Sequence, residues 1–393
     1  MKKPIPSQDK ALHQKAVELV HRFILTDGHI DLPWRLSVKN YKQNQEFIGH
    51  VDQTAIGDFD YRRAREGGLS APFMAIYISS SFQDDQELAK TEADKLIDMI
   101  DWMIATHPEK FARGDSPQLI EANFKKGLIS LPMGLENGAP LMQLSDVGYF
   151  YDRGIRYVTL THARDNHICD SSYDTVRTWG GLSPFGIKLI KEMNDVGVIV
   201  DISHISDETF FQVMDISEAP VLATHSSCRY FTPGWERNMS DEMIILLAEK
   251  SGVIQINFGS DFLDSDVAKK RKANRETLES LLSNANLKAD DPGAKIITDE
   301  FRKTHPGIFS DVQKVADHID HVRQIAGIDH VGIGSDFDGL GDSLPDGLKD
   351  VSMYPNLIAE LLKRGYTESD IEKICYKNVW RVWNKVNEIT GQI

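Results

Sequence analysis

Four short apolar runs of this chain each end on side chains that can ligate a metal ion. FILTDGHID places His29 and Asp31 two residues apart, LISLPMGLENG ends near Glu136, VGVIVDISH ends at His204, and APVLATH ends at His225. Imidazole nitrogens and carboxylate oxygens are donors for Zn²⁺ and similar divalent ions. Alternate residues of a strand share a side, so His29 and Asp31 can grip one ion together. A polar group at the end of a buried strand is costly unless something binds it there. The pattern therefore predicts an active site built on metal.

The elements that must position these residues can be read from hydrophobic periodicity. Eight β-branched-rich runs are expected as strands, at about 23–27, 73–78, 128–133, 156–161, 197–201, 220–224, 253–257 and 330–334. Segments of helical period separate them, for example 86–105 and 185–195. Strands alternating with helices imply right-handed crossovers and a parallel sheet. Eight such units with no evident linker predict a closed (β/α)₈ barrel of the TIM type, α/β in class. A doubly wound open sheet is the competitor, but no GxGxxG turn follows the first strand. In a barrel, functional residues gather at the C-terminal strand ends. The candidates fall there on strands 1, 3, 5 and 6, with His162 closing strand 4 and Asp336 and Asp338 of GIGSDFDG following strand 8.

At 393 residues and 41% hydrophobic the chain can bury a large core. We expect residues 1–393 to form one metallohydrolase domain with a helical insertion at about 261–311, containing DVAKKRKANRETLESLLSNANLK. An insertion on the catalytic face shapes substrate access or a subunit contact, and a homodimer is expected. The tail from YPNLIAELLKRG onward reads as two helices, the second opened by a Thr367–Asp370 capping box. A net charge of −15 argues against a nucleic-acid partner. No apolar stretch approaches the roughly 20 residues of a membrane span. The N-terminus lacks an apolar signal-peptide core, which suggests the cytoplasm, although an exported protein stripped of its leader would look the same. Cys169, Cys228 and Cys375 are too widely spaced for a metal knuckle and too few for a disulfide framework. His318 and His321 of ADHIDHV precede strand 8, toward the opposite end of the barrel, so a structural role is expected; His167 lies on a substrate-side loop.

A carboxylate can bridge two ions with its two oxygens, which a single imidazole cannot. Glu136 is thus the natural bridge between a His29/Asp31 ion and a His204/His225 ion. Two divalent ions roughly 3.5–4 Å apart can hold a bridging water or hydroxide and polarise a carbonyl. The implied class is hydrolysis of an amide, ester or phosphoester.

Longer motifs narrow the class. DGHIDLP, GLENG, YVTLTH, WGGLSPFG, VDISHIS, ATHSSCR, RNMSD, DHIDHVRQIAGIDHVGIGSDFDG and DVSMYPNLIAELLKRG, in that order from about 20 to 385, resemble the membrane (renal-type) dipeptidases. The resemblance implies an amidohydrolase-like barrel, two zinc ions per chain and dipeptide substrates; L-L dipeptides are expected, and whether the second residue can also be D stays open. It makes His29, Asp31 and Glu136 ligands of one zinc and Glu136, His204 and His225 ligands of the other. It makes His162 the residue that steadies the carbonyl oxygen, Arg237 the clamp on the dipeptide carboxylate, and Asp336 the proton shuttle to the leaving amine. Ile30 stands where family members often carry Asn, and Cys169 where a small residue is common. Arg229 is a rival for the carboxylate role, because the 225–237 segment reads as a loop. Related lactonases, phosphotriesterases and nucleases commonly begin with His-x-His and often use a lysine bridge, whereas this chain has His-x-Asp and a glutamate. A non-catalytic binding protein on the same scaffold is the alternative of another kind.

Overall fold

Eight parallel strands alternate with helices in the computed structural model, which describes residues 7–38, 51–289 and 291–391. The strands are β1 (Thr26–Ile30), β2 (Ala71–Tyr77), β3 (Met133–Glu136) and β4 (Ile155–Thr159). They continue as β5 (Ile199–Asp201), β6 (Leu222–Ser226), β7 (Val253–Ile256) and β8 (Val331–Ile333). Each pairs in parallel with the next in chain order. The sheet closes at its C-terminal rim, where Asp31 N–H donates to Phe337 O (2.8 Å) and Asp336 N–H donates to His29 O (3.0 Å). This is the (β/α)₈ barrel that the alternation predicts, and its closure carries the segment after β8 onto the end of β1.

The strands read as apolar runs because both faces are covered, by helices outside and barrel contents inside. Two expected boundaries move for physical reasons. The first strand, expected at 23–27, begins at Thr26, because Phe23 still bonds back to the preceding helix (Phe23 N to Leu19 O, 2.9 Å). The strand proper is polar but satisfied: Thr26 Oγ1 donates to Ala71 O (2.7 Å), and Asp27 accepts from His29 N, Ser335 N and Tyr354 Oη. The third strand, expected at 128–133, is two pieces. Ile129–Leu131 pairs with Phe111–Arg113 outside the barrel, Pro132 interrupts, and β3 follows. Proline has no N–H to give a ladder, so the chain changes partners there. Smaller shifts at β4, β5 and β6 leave His29 and His225 inside strands and Glu136 at the end of one. Asp31, His162, His204 and Asp336 lie one to three residues beyond theirs.

The helices begin on side-chain caps. Asp85 caps α1 (Gln86–Thr106), and Ser183 with Pro184 opens α2 (Pro184–Val196). After β7 the expected insertion contains α3 (Ser265–Asn284) and α4 (Ala294–Thr304), and α5 (Val312–Ile325) then leads back to β8. The Thr367–Asp370 capping box is present; its helix, Glu368–Glu372, runs through a π turn at Lys373–Lys377 into α6 (Asn378–Ile389). Trp383, Val379, Val382 and Val386 of α6 pack on Ala71, Ile199, Leu222 and Val253, the first residues of their strands or nearly so. The C-terminal helix therefore plugs the barrel at the end opposite the chemistry. Cys169, Cys228 and Cys375 are buried free thiols. Among the described residues no helix is long and apolar enough to cross a membrane.

Candidate metal centre and active site

The side chains drawn from β1, β3, β5 and β6 converge on Glu136. Its Oε2 lies 3.3 Å from His29 Nε2, which is 3.4 Å from Asp31 Oδ2. Its Oε1 lies 3.2 Å from both His204 Nε2 and His225 Nε2, and those two nitrogens are 2.8 Å apart. Each carboxylate oxygen thus faces a different set of donors. Donor atoms within 4.8 Å of one another form three groups: His29, Glu136 and His225; Glu136, His162 and His204; His29, Asp31 and Asp336. All these residues are buried except His162, which is partly exposed. Buried His29 Nε2 has no hydrogen-bond partner. Lone pairs and carboxylate oxygens crowded together out of water suit a divalent cation.

The ring nitrogens away from this cluster are held by a second layer. Tyr157 Oη donates its one proton to Gly28 O (3.0 Å), so at 3.0 Å from His29 Nδ1 it must accept from that nitrogen. His29 Nε2 is left with its lone pair toward Glu136. Thr224 Oγ1 similarly donates to Asp201 Oδ2 (2.7 Å) and accepts from His225 Nδ1 (2.9 Å). Asp201 also accepts Ser203 N and Thr224 N, tying β5 to β6 beneath the site. Such supports fix tautomer and ring orientation. Tyr157 reaches His29 only because residue 134 is glycine: a Cβ there would lie 1.9 Å from the tyrosine ring.

The electrostatics agree with this layout. Burial, then Arg237 and His162, hold the His204 imidazole well below its usual pKa; burial and His29 do the same for His225, so both are neutral donors at pH 7. Burial opposes charge on Glu136, yet His29 and His162 outweigh it and keep the carboxylate ionised. Burial likewise opposes charge on His29, but Tyr157, Glu136 and Asp31 prevail and raise its pKa well above normal. Surroundings that favour a proton at that nitrogen favour a cation there as well.

A cavity of about 570 Å³ opens above the cluster, walled by Trp34 and Tyr77 on one side and by Tyr173 and Phe262 on another. His162 Nε2 is 3.8 Å from Glu136 Oε1, with Tyr77 against its ring (4.8 Å between centroids). Arg237 is buried, donating to Ser226 Oγ and His225 O (2.9 Å each), while its Nε has no partner. Asp336 sits in the left-handed region (φ 63°) and accepts from Asn257 Nδ2 (2.8 Å). Burial, and then Asp31, push its carboxyl well above the usual range. His204 is also left-handed (φ 72°), a conformation that costs free energy and clusters at functional sites. Gly339 lets the chain pass close by, since a Cβ there would lie 2.2 Å from Asp31 Oδ2 and 2.4 Å from Asp336 Oδ1.

Other candidates lie apart. Arg229 is held by both oxygens of Asp207 (2.6 Å each) and by Asn238 O, which removes it from the carboxylate role. His167 Nε2 turns to Leu141 O (2.8 Å). His318 is buried, accepting from Cys228 N (3.0 Å) and donating to Leu263 O (3.1 Å); His321 pairs with Asp241 (2.8 Å). Asp338 accepts from Arg35 Nη1 (2.9 Å) and Asp58 N (2.6 Å), and burial lifts its carboxyl to about 7. Ile30 turns into the apolar core. Sequence reasoning passed over Tyr157, Thr224, Asp201 and Asn257. Polar residues inside otherwise apolar strands were the available signal for the first three.

Barrel and donor set together define a metal-dependent hydrolase of the (β/α)₈ kind. The sequence pattern of the membrane dipeptidases (peptidase family M19) matches residues 13–393, and the chain belongs to that family. It is 31% identical over 398 residues to an uncharacterized dipeptidase of Schizosaccharomyces pombe, covering 97% of this chain and 85% of that one. The crystal structure of the probable dipeptidase PvdM from Pseudomonas aeruginosa is similar with a TM-score of 0.80 and 27% identity, over 97% of this chain and 99% of that one. A metallopeptidase from Rhodobacter sphaeroides, liganded with a phosphinate mimic of L-Ala-D-Ala, shares the fold (TM-score 0.73, 23% identity, 93% of this chain and 99% of that one).

Proposed function

We propose that this dipeptidase binds two zinc ions and cleaves the peptide bond of L-L and L-D dipeptides. The observation that supports this best is Glu136, whose Oε2 faces His29, itself 3.4 Å from Asp31, while its Oε1 faces His204 and His225. In this reading His29, Asp31 and Glu136 hold one ion, and Glu136, His204 and His225 the other. When bound, the pair would supply positive charge for the scissile carbonyl and make a water nucleophilic at neutral pH.

The chain's own residues do the rest. Arg237, buried beside Tyr173 and Phe262, offers its free Nε edge to the dipeptide's C-terminal carboxylate and sets the length of substrate that fits. Burial lowers the pKa of His162, so a neutral ring donates a hydrogen bond to the carbonyl oxygen as negative charge develops there. Asp336, oriented by Asn257, takes the proton of the attacking water and returns it to the leaving nitrogen, which departs as an amine. Residues 1–393 act in this reading as one catalytic unit that pairs into a homodimer, which light scattering would report as twice 44.3 kDa.

The test is metal analysis joined to a substrate panel. Purified protein should carry two divalent ions per chain and lose activity to chelators, and Glu136→Gln should lose more metal than Asp31→Asn. Arg237→Ala should raise KM by a factor corresponding to roughly 2–5 kcal/mol, the cost of removing one partner of a buried charge pair. The panel should include L-L and L-D dipeptides, tripeptides and amidated dipeptides. Activity without metal, or equal cleavage of tripeptides and amidated dipeptides, would overturn the corresponding part.

A further inference from the structure

The outer wall of the active-site cavity is furnished by the insertion after β7. Four of its residues, Asp261, Phe262, Arg271 and Arg275, line the cavity. Arg271 is committed: its Nε lies 2.7 Å from Asp261 Oδ1, and its two Nη groups donate to Ile308 O (2.9 Å) and Asp342 O (3.0 Å). Arg275, one turn further along α3, makes no hydrogen bond or ion pair among the described residues. Glu279 stands four residues on, where a helix-surface arginine would ordinarily find a partner, and it does not pair with it. Lys272 and Lys295 of the insertion pair with Glu276 (3.8 Å) and Asp299, while Lys270 and Arg302 are unpaired like Arg275 among the described residues; Arg275 differs from these two in lining the active-site cavity.

Arg271 and Arg275 also line a second cavity of about 390 Å³, to which Arg302 and His305 contribute. Both arginines thus border both spaces, Arg271 anchored and Arg275 unanchored. In a chain of net charge −15, this is a local positive rim on the way to the metal centre. The anions deeper in the cavity, Asp31, Glu136 and Asp336, are already engaged with the cluster. An uncommitted guanidinium at the rim suits a planar carboxylate arriving from solution.

We propose that Arg275 is a specificity residue that selects dipeptides bearing a carboxylate side chain, aspartyl or glutamyl. The inference rests on the dipeptidase reading above, which supplies the backbone contacts and leaves side chains to be read by the cavity walls. Because Arg275 is exposed, the preference should be modest, about threefold to tenfold in kcat/KM, and should shrink with added salt.

The experiment compares glutamate with its uncharged isostere at each position, Ala-Glu against Ala-Gln and Glu-Ala against Gln-Ala, on the metal-loaded enzyme. The wild type should favour the acidic member at one position at least. Arg275→Gln should bring that ratio to one, and Arg275→Glu should transfer the preference to Lys-containing dipeptides. Arg302→Gln, which alters the second cavity alone, should keep the wild-type ratio. Ratios of one in the wild type, an unchanged ratio in Arg275→Gln, or its loss in Arg302→Gln would each overturn the assignment. A metal-loaded enzyme that cleaves none of the four peptides would instead refute the dipeptidase reading on which it stands.

Discussion

Replacing Tyr157 by phenylalanine isolates the layer behind the metal donors. The ring would keep its place against Gly134 and Phe73, so no cavity opens and no apolar contact is lost. Only the hydroxyl goes, and with it two hydrogen bonds of 3.0 Å, one given to Gly28 O and one accepted from His29 Nδ1. Each has a net worth of about 1 kcal/mol, and more if the buried partner finds no substitute. The losses are read by two measurements. Both bonds are made without metal, so their loss should lower the unfolding free energy of metal-free protein by about 2 kcal/mol. The His29 bond keeps the proton on Nδ1 and the lone pair on Nε2. Without it the ring can turn or take the other tautomer, and metal affinity should fall about tenfold to hundredfold, or about 1.4–2.7 kcal/mol. Competition against a chromophoric chelator reads the second quantity, and urea unfolding of the stripped protein reads the first. If Tyr157→Phe lost stability yet held its metal as tightly as the wild type, Tyr157 would be a packing residue and the tautomer argument would fail.

Asp336→Asn should retain its metal while kcat drops roughly 10²–10⁴-fold, whereas Asp338→Asn, which touches Arg35 and Asp58, should affect stability more than rate; kcat and metal content measured on the same samples decide this. Gly339→Ala should push a methyl group into Asp31 and Asp336, lowering both metal affinity and kcat, and unchanged values in both would mean that the loop yields freely. His318 supplies a pH test, because burial lowers its pKa from 6.5 to about 4. Between those values the unfolded chain binds the extra proton, so stability is complete above about pH 6.5 and falls as pH drops toward 4, by about 3 kcal/mol in all. Urea melts at pH 7 and pH 4.5 should show that fall in the wild type and a shallower one in His318→Gln.

The gathering of His29, Asp31, Glu136, His204 and His225 was legible in the sequence because strand-end chemistry is local. A buried apolar run that stops on histidine or a carboxylate has few uses other than binding, and alternation of strands with helices leaves few ways to assemble eight of them. The boundaries were less legible. Apolarity drew the first strand onto Phe23–Leu25, of which Phe23 still bonds back to the preceding helix and Leu25 bonds to Ser70 and Ala71 just ahead of the strand, while the true strand holds Thr26 and Asp27, polar residues satisfied by partners far along the chain. Pro132 divided a run that looked continuous.

What only the tertiary structure decided depends on contacts between residues distant in sequence. Closure of the barrel between β1 and the segment after β8 sets Asp336 beside Asp31, 305 positions apart in the chain. The facing of each Glu136 oxygen, the support of His29 by Tyr157, the capture of Arg229 by Asp207 and the freedom of Arg275 follow from packing in the same way. Composition and periodicity determine which side chains a strand end offers. Where each one points, and whether its polar atoms are already taken, depends on neighbours that the fold brings within a few ångströms.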